Sequence, residues 1–415
     1  MATNITVPLA MFSPMPSLTT DLSLLALEDS DATSPSLTSY PSSSASRPSS
    51  ASSAPSSCSS LPVGAPASAL FEIRDTPTAG RAVFASQNIP ASTLLWRADD
   101  LTLSTLLREY RREVCGWCFA YDYGRDLTPR DAGVGFAFCS AACRDTWRRE
   151  TGPLGVQVWT AVEALVKKRS KEDDGLVDVD TVKPSETEIA QGWGDVAAQA
   201  DLIRAARMAE LPPPETQLPE GGKGGATKQQ RKAVQKALQQ PISPDVLSYC
   251  AGGVVSRYIN PGKWDNLLSL AVDTTPYRSA DDLRAFTRSY LHLLAVLPLP
   301  LLPLVTPETL LLMSSRDNHN AFGIRSLEDE GSEFFGYGCW PGASYFNHSC
   351  DPDVFKRREG RVWEFRAGRD VASGEELNIT YLGGEEKEWD RKKRRATLKR
   401  NWGFECACKR CVGEE

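Results

Sequence analysis

Histidine is nearly absent: the 415 residues hold three. A histidine inside a dense polar motif therefore stands out, and His348 is such a residue. Excess positive charge is missing too. Lys and Arg total 47 against 53 Asp and Glu, a net charge of −6, so direct nucleic-acid binding is not expected. Met1 to Ala10 lacks the basic start of a secretory leader. A reducing compartment is expected, the nucleus and/or the cytoplasm. Long apolar runs are also lacking. Leu291 to Val305 is leucine-rich, but Pro298, Pro300 and Pro303 interrupt it and it is too short to span a bilayer. No membrane association is expected.

Cysteine, by contrast, is present in close sets. Cys115 and Cys118, Cys139 and Cys143, and Cys406, Cys408 and Cys411 have C-x2-C, C-x3-C and C-x-C-x2-C spacings. In a reducing compartment such spacing favours metal over disulfides. The first two pairs, about 20 residues apart, read as one tetrahedral site built from a knuckle, a loop and a short helix capped by Ser140. The last three thiols are one ligand short of a second site.

Two further segments carry the chemistry. Asn347-His348-Ser349-Cys350-Asp351-Pro352 offers an amide, an imidazole and a thiol within four residues. About 25 residues later, Gly374-Glu375-Glu376-Leu377-Asn378-Ile379-Thr380-Tyr381 reads as a turn entering an alternating strand that ends on a tyrosine. Together they resemble the C-terminal half of a SET domain, the fold of protein-lysine methyltransferases. Gly80-Arg81-Ala82-Val83-Phe84-Ala85 is similar to that family's N-terminal hairpin, though Ala82 stands where glycine is usual. Asn320-Ala321-Phe322 is similar to its Asn-x-Phe strand. The cysteine insertion resembles the MYND finger of the SET-and-MYND family, reduced to one site: the middle cysteine pair is missing, and residues around Trp147 to Thr151 replace the terminal His-x3-Cys.

The resemblance implies an α+β fold, a mostly-β SET fold interrupted by a zinc finger and a helical insertion, closed by a zinc-binding post-SET segment. Residues 1–68, rich in Ser, Pro, Ala and Thr, are expected to be disordered because they can bury little apolar surface. The N-terminal SET half is expected over 69–112, the finger over 113–150, and the helical insertion over 151–309, with flexible segments at 169–188 and 211–230. The C-terminal SET half follows over 310–385, and the post-SET helix and zinc tail over 386–415. Val354-Phe355 and Val362 to Arg366 alternate as a hairpin around Glu359-Gly360. His292 reads as a core or surface residue, and His319 as exposed. The basic run Arg391 to Arg395 reads equally as an import signal or a solvated helix face.

For function, the resemblance implies S-adenosylmethionine as methyl donor and a protein substrate carrying a target lysine. Tyr381 would be the catalytic residue. Gly80, Arg81, Asn320, Ser344, Asn347, His348 and Phe404 would hold the donor. Tyr345, Tyr381 and Phe404 would line the lysine channel. Two structural zinc ions are expected, one on Cys115, Cys118, Cys139 and Cys143. The other would sit on Cys350, Cys406, Cys408 and Cys411, the fourth ligand Cys350 being the one the resemblance supplies. A monomer is expected, with a protein partner at the finger as an open prospect. The alternative is a catalytically weak or inactive scaffold that binds protein partners.

Overall fold

The computed structural model describes residues 63–77, 79–169, 182–211, 225–327, 331 and 333–413. Most of the expected disordered tail, with Cys58, and the centres of both expected flexible segments lie outside the described residues. The described chain is in place earlier than the expected boundary at 69. The carbonyl of Val63 accepts a hydrogen bond from Ser269 Oγ at 2.8 Å, and Ala65 packs on the core.

Alternating residues and a glycine make the first hairpin. β1 (Phe71–Thr76) pairs antiparallel with β2 (Gly80–Ala85), from Phe71 opposite Ala85 to Thr76 opposite Gly80. Gly80 sits at φ +66°, where a side chain would be strained. β3 (Leu94–Ala98) and β4 (Leu103–Leu106) follow, and the small pair β5 (Arg130–Asp131) and β6 (Phe136–Ala137) belongs to the finger. After the helices come β7 (Ala321–Arg325), β8 (Phe334–Cys339), β9 (Val354–Glu359) and β10 (Val362–Ala367). Two three-stranded sheets form, in the orders β3-β10-β9 and β4-β8-β7. Each joins one strand from before the insertions to two from after them. The two halves are thus one folded unit, stitched by backbone hydrogen bonds.

α1 (Ala141–Lys168) starts as expected: Ser140 Oγ accepts from the Cys143 amide at 3.1 Å. The short helix expected after Ser140 runs on into a second helical stretch across a kink at Gly152, which lies at φ +67°, and Pro153, whose ring and missing N–H break the helical ladder. Val158, Val162, Leu165 and Val166 are buried on its inner face. α2 (Glu186–Met208) and α3 (Lys228–Gln239) begin inside stretches expected to be flexible. Each opens on a capping box, Ser185 with Glu188 and Thr227 with Gln230. Polar composition hid them. The Ser-x-x-Glu and Thr-x-x-Gln spacings were the signal, since each pair satisfies two orphan amides.

α4 (Pro244–Ile259), α5 (Pro261–Leu268), α6 (Ala280–Val296) and α7 (Pro307–Asn320) complete the insertion. Ser256 Oγ on α4 donates to the Thr102 carbonyl beside β4 at 2.6 Å, and Tyr249 donates to the Met313 carbonyl on α7 at 3.1 Å. The insertion is therefore packed onto the sheet that carries Asn320 at its edge. α8 (Arg391–Trp402), capped by Asp390 and stopped by left-handed Gly403, and α9 (Lys409–Gly413) finish the chain. Among the described residues helix exceeds strand, 47% against 18%, in keeping with an α+β molecule whose SET strands are interrupted by a helical insertion.

His319 is half-buried rather than exposed, and burial lowers its pKa. His292 on α6 is 1% exposed, its ring set near the backbone of Ala237 and Gln240. Burial pushes its pKa down to about 4, so the folded protein holds it neutral. An unfolded chain takes up that proton below about pH 6.5. Its contribution to stability is thus full above pH 6.5 and shrinks as the pH falls toward 4. Urea unfolding between pH 7 and 4.5 should show the parent losing stability faster than His292→Leu. Parallel losses in the two proteins would contradict this account.

Candidate active site

Two extended segments cross at the centre of the SET strands. Gly374, at φ +85°, turns the chain so that 375–381 runs away from β2 and alongside 347–349. The Ala85 amide donates to the Glu375 carbonyl and the Leu377 amide to the Val83 carbonyl, both at 2.8 Å. Further on, the Ser349 amide donates to the Ile379 carbonyl at 2.8 Å, and the Ile379 amide to the Asn347 carbonyl at 2.9 Å. Neither segment is a regular strand, although 375–381 reads as one in the sequence. Each makes isolated bridges, Phe84 with Glu376 and His348 with Ile379, because each serves two neighbours in turn.

The crossing gathers the expected site residues. Asn347 Nδ2 donates to the Arg81 carbonyl at 3.3 Å and to Glu376 Oε1 at 3.1 Å. Arg81 lays its guanidinium 4.7 Å from the Tyr345 ring centre and donates to the Tyr345 hydroxyl at 2.9 Å and the Ser269 carbonyl at 2.7 Å. Ser344 Oγ donates to the Asn320 carbonyl at 2.9 Å. Asn320 is buried at the C-terminal end of α7, one residue before the strand it was expected to begin. Its Nδ2 donates to the carbonyls of Ala271 at 3.0 Å and Arg316 at 2.7 Å, which leaves Oδ1 as the atom open to a ligand. Beside them, no atom lies within 4 Å of a Cβ built on Gly80, so the start of β2 borders open space. Ala82 is fully buried in the core. Its departure from the family's glycine does not fill that space.

On the other side, His348 Nδ1 accepts from the Tyr381 amide at 3.0 Å. That fixes the tautomer: Nε2 carries the hydrogen and points at Cys350 Sγ, 3.3 Å away. Burial lowers the His348 pKa, which keeps the ring neutral. The His348 ring lies 5.2 Å from Tyr381 and 5.8 Å from Phe404, centre to centre. Trp402 stands 5.3 Å from Tyr381. The Tyr381 hydroxyl donates to the Phe346 carbonyl at 3.2 Å, and burial raises its pKa well above the phenol range. It is a hydrogen-bonding phenol, not a base. Glu376 and Trp402 escaped the sequence reading as site residues. Glu376 lay within the Gly-Glu-Glu-Leu segment already singled out, and its place against Asn347 was the missing information.

All eight predicted metal ligands converge in two sets of four. In each, the Sγ atoms lie within 4.8 Å of one another. Neighbouring sulfurs are 3.5 Å apart for Cys118–Cys139, Cys139–Cys143 and Cys350–Cys411, and 3.9 Å for Cys350–Cys406. Four thiolates about 2.3 Å from a tetrahedral ion stand about 3.8 Å apart, so both sets fit such an ion. Arg394 Nη2 points at Cys411 Sγ from 3.6 Å and favours the thiolate that a metal needs. The first set is tied to the SET strands through Arg361. Its guanidinium lies 4.2 Å from the Trp117 ring centre and donates to the Trp117 carbonyl at 3.2 Å. The second set contains Cys350 from the crossing itself, so it couples the C-terminal tail to the site.

A profile of the SET domain matches residues 80–382. The chain is similar to Potential protein lysine methyltransferase SET6 of Saccharomyces cerevisiae, with 27% identity over 391 residues, covering 84% of this chain and 96% of that protein. It is also similar to Histone-lysine N-methyltransferase SET5 of Yarrowia lipolytica, 46% identical over 74 residues, 17% of this chain and 16% of that protein. A third similarity is to Histone-lysine N-methyltransferase SMYD3 of Homo sapiens, 41% identical over 96 residues, 23% of this chain and 21% of that protein.

Proposed function

We propose that this chain, which belongs to the SET-domain family, is an S-adenosylmethionine-dependent methyltransferase acting on lysine side chains of proteins. The observation that carries the reading is the crossing. It holds Asn347 against Arg81, which stacks on Tyr345, on one side, and His348 against Tyr381 and Phe404 on the other. These groups suit a ligand with an aromatic base and a charged amino-acid end. Phe404 offers a ring face, Asn320 an amide oxygen, and Gly80 the open approach. When bound, S-adenosylmethionine would supply an electrophilic methyl group.

The protein's own residues do the rest. Aromatic rings around Tyr381 would exclude water and stabilise a cationic lysine by cation–π attraction. Alignment of amine and methyl is worth several kcal/mol of barrier or more. Tyr381, kept protonated by burial, would orient the amine by hydrogen bonding. It cannot take the amine's proton, so the lysine must lose that proton to water before transfer. We assign both cysteine sets to structural zinc. No helix of the described residues is long and apolar enough to cross a membrane.

Metal analysis should give two zinc ions per chain, and stripping them with a chelator should lower the melting temperature sharply. A ratio near three, or near zero, contradicts the assignment. Tyr381→Phe removes one hydroxyl and leaves the ring. Turnover should drop by about 10²–10³, while calorimetric affinity for S-adenosylmethionine stays near the parent's. Equal turnover in the two proteins would remove Tyr381 from the chemistry.

A further inference from the structure

β9 points Val354, Lys356 and Arg358 to its buried side and exposes Phe355, Arg357 and Glu359. A lysine on that side is unexpected, since a buried ammonium ordinarily needs an anion. Among the described residues no carboxylate pairs with it; the charged group that acts on it is another cation, Lys387. Its Nζ lies 5.2 Å from the centre of the Phe322 ring and 5.9 Å from that of Trp363. Its hydrogen bond goes to one atom, the Thr380 carbonyl oxygen, at 2.6 Å.

That carbonyl belongs to the peptide unit whose nitrogen is the amide of Tyr381. The same amide donates to His348 Nδ1 at 3.0 Å. The Thr380–Tyr381 peptide is therefore held at both ends, by an amine on its oxygen and an imidazole on its hydrogen. Donation to the oxygen also polarises the N–H toward His348, so the two bonds reinforce each other. We propose that Lys356 is a positioning residue for Tyr381: with His348 it clamps the peptide plane that aims the Tyr381 ring and hydroxyl.

A carbonyl at this place could be satisfied by water. A lysine does it without admitting water, since its stem fills the space against Phe322 and Trp363 and its head reaches the oxygen. Burial pushes the amine's pKa down to about 7, which makes an uncharged donor accessible near neutrality. The aromatic rings tolerate either form. Nothing in the clamp touches the reacting atoms directly. Its effect is angular, and misplacement of a catalytic group by about 1 Å can cost on the order of 10² in rate.

The proposal rests on the methyltransferase reading for its consequence, but not for its geometry, and the two can be tested apart. Thr380–Tyr381 is the sole Thr–Tyr step in the sequence. Protein labelled with ¹³C-carbonyl threonine and ¹⁵N-tyrosine thus gives one carbonyl–amide correlation peak. In Lys356→Met, which keeps the apolar stem, that peak should move in both dimensions. The kcat for methyl transfer should fall roughly tenfold to a hundredfold, with little change in KM for S-adenosylmethionine. Lys356→Arg, which keeps a donor, should recover part of the rate. If the methionine variant does not fold, Lys356→Gln, too short to reach the oxygen, replaces it with the same expectation. A peak that stays put, or a folded variant with parental kcat, overturns the clamp. A moving peak in a protein whose parent transfers no methyl group supports the clamp and overturns the enzymatic reading instead.

Discussion

The candidate site depends on two backbone hydrogen bonds, from Ser349 to Ile379 and from Ile379 to Asn347. They lock together two segments that have no regular strand partners of their own. Buried peptide groups must be paired, so a segment that leaves β2 at Leu377 has to find acceptors and donors elsewhere. It finds them on the Asn-His-Ser-Cys segment. From that one pairing follow the tautomer of His348, the aim of Tyr381, the reach of Asn347 to Arg81, and the position of Cys350 in the second cysteine set.

The same logic explains how the fold tolerates long insertions. Each three-stranded sheet takes strands from both sides of the finger and the helices. Closing a longer loop adds only slowly to the entropy cost, about 0.6 kcal/mol per doubling. The insertions are not passive, however. Arg361 ties the finger to the turn between β9 and β10, and Ser256 ties α4 to the chain entering β4. α7 then delivers Asn320 to the site from the helical side. The cysteine sets are tied to the SET strands at different places, the first through Arg361 and Trp117 and the second through Cys350 and His348.

Much of this was legible in the amino-acid order. Cysteine spacing specified the first metal set and three ligands of the second, because four thiols near a tetrahedral ion allow few separations along a chain; the distant Cys350 came only from the family resemblance. The β9–β10 hairpin was legible through its alternation and Gly360. The crossing was not, since no local pattern distinguishes an extended segment that switches partners from a strand, and 375–381 reads as a strand. α2 was hidden by polar composition even though Ser185 and Glu188 announce its start. Lys356 was invisible for a different reason. A lysine in an alternating strand reads as solvent-facing, and only the tertiary arrangement of Phe322, Trp363 and Thr380 turns it inward.

The central claim is that this crossing is a working methyl-transfer site. Incubating the purified protein with methyl-labelled S-adenosylmethionine and a cell lysate, then hydrolysing the labelled protein to amino acids, tests it directly. The account predicts label recovered as methylated lysine in a small number of discrete protein bands. Tight donor binding without any labelled lysine would contradict it and leave a scaffold that holds the donor without using it.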